Sequence, residues 1–260
     1  MTERMVGRRA VVTGGASGIG RAIAAAYLHE GAAVVIADID AEAADRTAAE
    51  LSGAGTIVGI GCDVTKSTET KALASEAAQR LGGVDVLVNN AGLSGRGLIT
   101  EIPEERIDAL LAVNLKGVIL CAQAFAPALL DTGDATMINM SSQAGKRGWA
   151  ELSVYGATKA GVLGMSRALA VELAPAVRVN AICPGYISDV GMAWRGWQVR
   201  ADSEGGTAAS IARNFAEENI PLERLQSADD IANAAVFLAS TDAREITGAA
   251  LNVGGGVVMD

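Results

Sequence analysis

The sequence predicts an α/β fold in which helices cover both faces of a parallel β-sheet. Short apolar runs rich in Val and Ile alternate along the chain with alanine-rich segments of helical period. Within the short runs, apolar residues occupy successive positions, as expected for strands that are buried on both faces. Strands separated by helices of a dozen or more residues favour parallel pairing, so the predicted architecture is a doubly wound sheet of the Rossmann type.

Seven apolar runs supply the predicted strands, with helical segments between them. In chain order they are Ala10–Thr13, Ala33–Ala37, Ile57–Cys62, Val84–Asn89, Thr136–Met140, Val177–Cys183 and Ala250–Val253. The segment at about 185–220 has no strong period and is predicted to be an irregular substrate loop or lid. Helix resumes after Ser227, where Asp230 stands at the capping-box position. No repeat or linker divides the chain, so residues 1–260 form one predicted domain.

Composition excludes several classes of function. The chain has 260 residues and a net charge of −9, and it lacks the surplus of Lys and Arg that a nucleic-acid binder needs. Its longest apolar stretch, 117–130, contains Gln123 and Pro127 and is shorter than a membrane span. The N-terminus shows no signal peptide, so we expect a soluble cytoplasmic protein without membrane partners. A disulfide frame or metal site is not predicted, because the cysteines are odd in number and far apart: Cys62, Cys121 and Cys183.

A glycine-rich turn directly follows the first strand and opens a helix that we expect to run to about Glu30. Its sequence is Thr13-Gly14-Gly15-Ala16-Ser17-Gly18-Ile19-Gly20. Missing side chains allow backbone N–H groups to approach a pyrophosphate, and the helix dipole favours its negative charge. The predicted cofactor contacts in this turn are Gly14, Ser17, Gly18, Ile19 and Gly20.

Asp38 at the end of the second strand predicts which dinucleotide is bound. It lies 18 residues after Gly20, where a carboxylate can accept hydrogen bonds from the ribose hydroxyls of the adenosine. A carboxylate there repels the 2′-phosphate of NADP, and neither Ser17 nor Ile39 supplies a compensating cation. NAD is therefore the predicted cofactor.

Two further strand ends lead to the same cleft, because ligands of open parallel sheets bind outside the carboxyl ends of the strands. Asp63 and Val64 follow the third strand, and Asp63 can accept a hydrogen bond from the adenine amine or, alternatively, cap a helix. The fourth strand leads into Asn90, Ala91 and Gly92, where Asn90 can bridge backbone groups as the chain turns.

Tyr155 and Lys159 stand four residues apart, so a helix would place both side chains on one face. A phenol is a poor base near neutrality, and an adjacent cation is expected to lower its pKa. The pair is therefore a candidate proton donor and acceptor.

Together these motifs make the chain resemble, from end to end, the short-chain dehydrogenase/reductase family. The order and spacing that carry the resemblance are Thr13-Gly14-x3-Gly18-Ile19-Gly20, Asp63-Val64, Asn89-Asn90-Ala91-Gly92, Asn114, Ser142, Tyr155, Lys159 and Pro184-Gly185. The resemblance implies a seven-stranded sheet, hydride transfer between NAD and a carbinol carbon, and a homotetramer built on paired helices.

The resemblance also implies a role for each member of a catalytic tetrad. Tyr155 moves the proton, Ser142 holds the substrate oxygen, Lys159 lowers the pKa of the phenol and binds the nicotinamide ribose, and Asn114 supports a water chain. Ser141 competes with Ser142, but the interval of thirteen residues to Tyr155 favours Ser142. The nicotinamide carboxamide is expected on the backbone after Pro184 and Gly185, at Ile187. Asp189 departs from the threonine common at that position of the family.

Within the family, the segments 138–148 and 154–160 look like those of bacterial sorbitol and related polyol dehydrogenases. The expected substrate residues are Ser142, Gln143, Trp149, Tyr155, Tyr186 and Trp194, although the tryptophans could equally serve in packing. A diol (butanediol or acetoin) dehydrogenase and a 3-oxoacyl thioester reductase stay open as alternatives. A non-catalytic NAD-binding protein on the same fold is the remote one.

Overall fold

The structure, a computed structural model, describes residues 3–188 and 191–259, without the side chains of 191–195 and 204. Seven parallel strands form one sheet in the order β3-β2-β1-β4-β5-β6-β7. The strands are β1 Arg9–Thr13, β2 Ala33–Asp38, β3 Ile57–Gly61, β4 Val86–Asn89, β5 Ala135–Met140, β6 Val177–Pro184 and β7 Ala250–Val253. All seven predicted strands are confirmed, with ends that shift by one or two residues.

Helices fill the connections between the strands. They are α1 Gly18–His29, α2 Ala41–Leu51, α3 Ser67–Leu81, α4 Glu104–Leu111, α5 Val118–Thr132, α6 Ser153–Glu172, α7 Gly191–Glu204, α8 Ala208–Asn219 and α9 Ala228–Ala239. A π-helical turn, Ala112–Gly117, joins α4 to α5. The predicted end of α1 at about Glu30 agrees with its observed end at His29.

Two hydrophobic cores flank the sheet because alternate residues of each strand point to opposite faces. Val12 and Val88 belong to the core beneath α1 and α9, whereas Val11 and Leu87 belong to the core beneath α3 and α5. All four side chains are fully buried. Burial of each such side chain contributes roughly 1.5–3 kcal/mol, which explains why the strands read as continuous apolar runs.

The segment Glu104–Thr132 is long and apolar enough to cross a membrane by length and composition alone. In this fold it packs against the sheet, and its residues Leu110, Phe125 and Leu129 are fully buried. The core beneath α3 and α5 therefore accounts for its apolar character.

The segment at about 185–220 is not the irregular loop that the sequence predicts, because most of it is helical. Thr207 forms a capping box with Ser210 at the start of α8. The buried positions of α8 are Ala208, Ala212 and Ala216, which are too small to give a strong apolar period. The capping box of Ser227 with Asp230 at the start of α9 is confirmed.

The topology places one crevice at the carboxyl edge of the sheet. The strand order reverses between β1 and β4, and ligands of doubly wound sheets bind at such a switch point. The turns after β1, β2, β4, β5 and β6 all open at this edge.

Candidate active site

The glycine loop, residues 14–20, joins β1 to α1 at the switch point. Gly14 and Gly18 have φ angles of +62° and +55°, which side-chain-bearing residues rarely adopt. Ser17 stands at the N-cap of α1, yet its hydroxyl makes no capping hydrogen bond, and the first turn of α1 holds no acidic residue. The first N–H groups of α1 can therefore bind an anionic group.

Gly20 and Asn90 explain how tightly this loop is built. A Cβ atom on Gly20 would lie 2.1 Å from the Gly14 carbonyl oxygen and 2.6 Å from Nδ2 of Asn90. That Nδ2 atom donates to the carbonyl oxygens of Thr13 and Gly14, at 3.0 Å each. The backbone N–H groups of Asn90 and Ala91 donate to the Thr13 hydroxyl at 3.0 and 3.1 Å. The prediction that Asn90 bridges backbone groups is confirmed.

Asp38 faces the same loop from the end of β2. Its carboxylate accepts hydrogen bonds from the N–H groups of Ala16 at 3.2 Å and Asp40 at 3.3 Å. Ile39 beside it is 75% exposed. A glycine-rich loop, with helix N–H groups on one side and a carboxylate on the other, fits a dinucleotide, which would supply the hydride acceptor or donor.

Asp63 organises the turn before α3. Its Oδ1 atom accepts from the backbone N–H and hydroxyl of Thr65, at 2.9 and 2.7 Å, and its Oδ2 atom lies 3.4 Å from Nζ of Lys66. The Thr65 hydrogen bond, with Lys66, lowers the pKa of Asp63 despite partial burial. Asp63 is not the N-cap, which is Lys66, and its adenine contact stays a prediction. Val64 is buried in the core beneath α3.

The first turns of α6 bring Tyr155 and Lys159 to the other side of the crevice. Tyr155 lies beside Ser142, which is the second residue after the end of β5. The Lys159 ammonium lies 5.8 Å from the centre of the Tyr155 ring and donates to the Met140 carbonyl oxygen at 2.9 Å. The predicted trio of serine, tyrosine and lysine is therefore assembled at the end of β5.

The pKa of Tyr155 shifts in the direction opposite to the one that the sequence predicts. Burial raises the pKa of Tyr155, and the hydrogen bond from Ser142 opposes the rise only in part. Burial also lowers the pKa of Lys159 to about 8. The expected lowering of the phenol pKa by Lys159 is not found, because burial raises that pKa and the group that opposes the rise is Ser142. Desolvation also disfavours the charge on Lys159 itself.

Ser141, the competing serine, has a structural task. It is 4% exposed, and its hydroxyl donates to the backbone carbonyl of Lys159 at 2.9 Å. The Ser142 hydroxyl accepts from the N–H of Ala144 at 3.1 Å and meets Tyr155. The spacing argument for Ser142 is therefore confirmed by the placement of both hydroxyls.

Asn114 lies fully buried on the π-helical turn between α4 and α5. Its side chain accepts from the N–H of Leu93 at 2.7 Å and donates to the Leu93 carbonyl at 2.8 Å. A Cβ atom on Gly92 would lie 3.3 Å from Oδ1 of Asn114 and 3.7 Å from Nζ of Lys159. The amide group of Asn114 therefore holds the loop after β4, and the expected link from Asn114 to a water chain stays a prediction.

Pro184 is the last residue of β6, and Gly185 follows it beside β7. The Gly185 N–H donates to the Val253 carbonyl oxygen at 2.9 Å. Ile187 forms a parallel bridge with Gln226, in which the bonds run through Tyr186 and Ser188. In such a bridge the N–H and C=O of Ile187 itself point away from Gln226. This orientation is compatible with the predicted carboxamide contact.

The expected substrate residues have different environments. Gln143 is 3% exposed, and neither of its amide atoms has a hydrogen-bond partner among the residues that the structure describes. The guanidinium of Arg147 lies 5.5 Å above the Trp149 ring. Tyr186 packs edge-on against Phe215, with ring centres 4.6 Å apart. The side chain of Trp194, like Asp189, lies outside the described part of the structure.

Sequence reasoning missed the aromatic cluster, which consists of Tyr186, Trp197 and Phe215. Trp197 is 6% exposed and lies 5.1 Å from Phe215, so it packs inside the cluster. Phe215 and the substrate-side Gln226 carried no motif. The amphipathic pattern of α8 was the sequence feature that could have indicated Phe215. That pattern is weak because the buried positions of α8 are alanines.

Comparison with known proteins agrees with this geometry. The family model described as short chain dehydrogenase matches residues 8–199. The sorbitol dehydrogenase of Cereibacter sphaeroides is 40% identical, over 97% of this chain and 98% of its own. The 2-(S)-hydroxypropyl-CoM dehydrogenase 3 of Xanthobacter autotrophicus is 37% identical, over 99% of both chains. A solved NAD⁺-bound xylitol dehydrogenase is 26% identical, with a TM-score of 0.90 over 97% of this chain and 100% of its own.

The fold and the trio at β5 define an oxidoreductase that acts on CH–OH groups with a nicotinamide cofactor. The chain belongs to the short-chain dehydrogenase family.

Proposed function

We propose that this protein is an NAD-dependent dehydrogenase of polyols or sugar alcohols, with sorbitol as the first substrate to test. The observation that carries the oxidoreductase chemistry is the placement of Ser142 and Tyr155 next to each other beside buried Lys159. The phenolate form of Tyr155 accepts the hydroxyl proton of the alcohol, and Ser142 orients the oxygen. Lys159 stabilises the phenolate when it is charged.

Two observations favour polyols over other alcohols as substrates. The sorbitol dehydrogenase relative and the xylitol dehydrogenase neighbour are both named for polyols. Gln143, next to Ser142, carries a buried amide with unsatisfied donors and acceptors, and such a group favours a substrate with more than one hydroxyl.

NAD is favoured over NADP because Asp38 borders the glycine loop. The exposed cations nearest in sequence, Arg21 on α1 and Arg46 on α2, lie within 4 Å of Glu50 and Glu42, respectively. Arg9 lies at the opposite edge of the sheet, where it binds Asp85 at 2.7 Å. Positions 17 and 39 supply a serine and an isoleucine.

The assembly that we propose is a cytoplasmic homotetramer. Apolar side chains are exposed on three successive helices: Leu111 on α4, Ile119 on α5 and Val171 on α6. Burying these faces against a second copy would remove apolar area from water. Light scattering of the purified protein tests the assembly, and a monomeric mass would contradict it.

A panel of substrates tests the function. Sorbitol, xylitol, 2,3-butanediol and a 3-oxoacyl thioester are each assayed with both cofactors by following the absorbance of the reduced cofactor. Tyr155→Phe serves as the control for background reduction. Faster turnover of butanediol with NAD would favour the diol alternative, and reduction of the thioester with NADPH would favour the reductase. Cofactor binding without any turnover would leave the binding-only protein.

A further inference from the structure

Three arginines from separate elements lie close enough to one phenol, that of Tyr186, for their charges to act on it. Arg96 lies on the loop after β4, Arg147 on the loop after β5, and Arg200 on α7. The positive charges of all three favour the ionised form of Tyr186, although burial still raises its pKa. We call these three residues the arginine rim.

Arg147 and Arg200 are held in place by aromatic rings. Arg147 lies 5.5 Å above Trp149, and Arg200 lies 5.7 and 5.8 Å from the ring centres of Trp197 and Phe215. Contact with a ring face fixes a guanidinium while the N–H donors at its edge keep their directions. The aromatic cluster thus presents positive charge at a defined position.

Arg96 is anchored from a third direction. Its Nη1 atom lies 3.2 Å from Oε2 of Glu151, and the carbonyl of Glu151 accepts from the N–H of Gly97 at 2.9 Å. Glu151 adopts a φ of +67°, which is uncommon for a residue with a side chain. Two loops that border the substrate side are therefore tied together by this acid.

Charge is not balanced at Arg147. Among the residues that the structure describes, no carboxylate lies within 4.0 Å of its guanidinium, whereas Arg96 has Glu151. The whole chain carries a net charge of −9, so the positive charge of Arg147 beside the substrate crevice is opposite in sign to the net charge of the protein. A local positive site of this kind attracts and orients anions.

The rim lies near the chemistry and is not part of it. Arg147 follows Ser142 by five residues, and its backbone N–H donates to the Gln143 carbonyl at 3.0 Å. Tyr186 follows Gly185, which packs against the side chains of Gln143 and Gln226. Arg147, directly, and Tyr186, through Gly185, are therefore both connected to Gln143, the neighbour of Ser142.

We propose that the substrate of this site carries an anionic group, a carboxylate or a phosphate, at the end remote from the reacting carbinol, and that Arg147 with Arg96 binds it. This inference rests on the proposed function and narrows it from neutral polyols to anionic ones. Oxidation moves a hydride from the carbinol carbon to NAD and the hydroxyl proton to Tyr155. The anionic group is unchanged.

The test compares sorbitol, sorbitol 6-phosphate and gluconate as substrates of the full-length enzyme with NAD. We expect kcat/KM to be roughly 10- to 100-fold higher for one of the anionic compounds than for sorbitol, as for a hydrogen-bonded ion pair. Arg147→Gln should reduce that ratio by a similar factor, and Arg147→Lys should restore part of it. The two anionic arms separate a phosphate site from a carboxylate site.

Two readouts distinguish this role from a merely structural one. Rising salt should lower kcat/KM for the anionic substrate and not for sorbitol, because exposed charges are screened. Arg80→Gln is the matched control: Arg80 is similarly exposed and paired with Glu76 at the end of α3, away from the crevice. It should leave the ratio unchanged.

Calorimetry of the three compounds with the NADH-bound enzyme separates failure of the inference from failure of the proposed function. Tighter binding of an anionic compound that depends on Arg147, without turnover of any polyol, would overturn the proposed function and support the rim. Turnover of sorbitol with no preference for either anion, no salt dependence and no effect of Arg147→Gln would overturn the rim.

Discussion

The cofactor half and the substrate half of the crevice are built by different means. The cofactor half is fixed by hydrogen bonds between side chains and the backbone: Asn90 and Thr13 bind the chain at the glycine loop, and Asp38 accepts from the Ala16 N–H. The substrate half is fixed by apolar packing, above all in the aromatic cluster, to which α7 and α8 contribute. Hydrogen bonds to the backbone constrain a single geometry, whereas packed side chains can be exchanged for others of similar volume. The first half therefore suits a constant ligand and the second a variable one.

Tyr155 lies between the cofactor half and the substrate half, and loss of its hydroxyl should slow the chemical step while leaving both halves intact. Tyr155→Phe removes only the hydroxyl, so kcat should fall by roughly 10² to 10⁴ while the affinity for NAD stays nearly constant. Steady-state kinetics and NADH titration measure the two effects. Tyr27→Phe is the control, since Tyr27 is also buried and its hydroxyl binds Ala235 far from the crevice. Wild-type turnover by Tyr155→Phe would remove Tyr155 as the proton carrier.

Asp38 tests the cofactor half alone. Repulsion between its carboxylate and a 2′-phosphate is of order 1 to 4 kcal/mol, so we expect NAD to be preferred by roughly 10- to 1,000-fold in kcat/KM. Asp38→Ala should shrink that preference and leave the substrate KM unchanged. Kinetics of both proteins with both cofactors provide the measurement. Equal use of NADP by the wild type would contradict the assignment of NAD.

Substitution of Lys159 tests how much burial of its ammonium lowers the free energy of unfolding. Its pKa falls from 10.5 to about 8 in the folded protein, which corresponds to a destabilisation of about 3 kcal/mol at neutral pH. The unfolded chain binds the extra proton between these two pKa values, so this destabilisation disappears as pH rises from about 8 towards 10.5. Lys159→Met should therefore be inactive and yet more stable than the wild type at about pH 7.

Urea unfolding of both proteins at about pH 7 and at about pH 9.5 checks that prediction. The stability gained by Lys159→Met should be smaller at the higher pH. Lys71→Met, at an exposed position of α3, should show no such change between the two pH values. A variant less stable than wild type at neutral pH would show that the Met140 hydrogen bond outweighs desolvation.

Phe215 tests the substrate half and should give the smallest effect. Its ring contacts both Tyr186 and Trp197, and each aromatic pair is worth roughly 0.5–1.5 kcal/mol. Phe215→Ala should raise the substrate KM by about tenfold and leave the NAD KM within about twofold. Phe237→Ala on α9, a partly buried residue of the other core, is the control for general loss of stability. A large change in the NAD KM would show that the two halves are coupled.

Much of the cofactor half was predictable from the sequence because local chemistry decides it. The strands, Gly20, Asp38 and Asn90 lie within short motifs whose backbone geometry admits few residue types. The spacing from Ser142 to Tyr155 likewise identified the correct serine, since one strand end and one helix start fix the distance between them.

The direction of the Tyr155 pKa was not predictable in the same way. Sequence shows a lysine one helical turn away, but it does not show how far both side chains are buried. Desolvation depends on every element packed around a group, so only the tertiary structure reveals that it raises the pKa of Tyr155 here.

The sequence by itself determined the doubly wound sheet, the position of the glycine loop and the candidate trio of Ser142, Tyr155 and Lys159, because each follows from periodicity or from short fixed spacings. Only the tertiary structure decided that the segment at about 185–220 is helical, that Trp197 and Phe215 pack against Tyr186, and that Arg147 stands unpaired beside the crevice among the described residues. These features depend on contacts between residues dozens of positions apart, and no local pattern encodes such contacts.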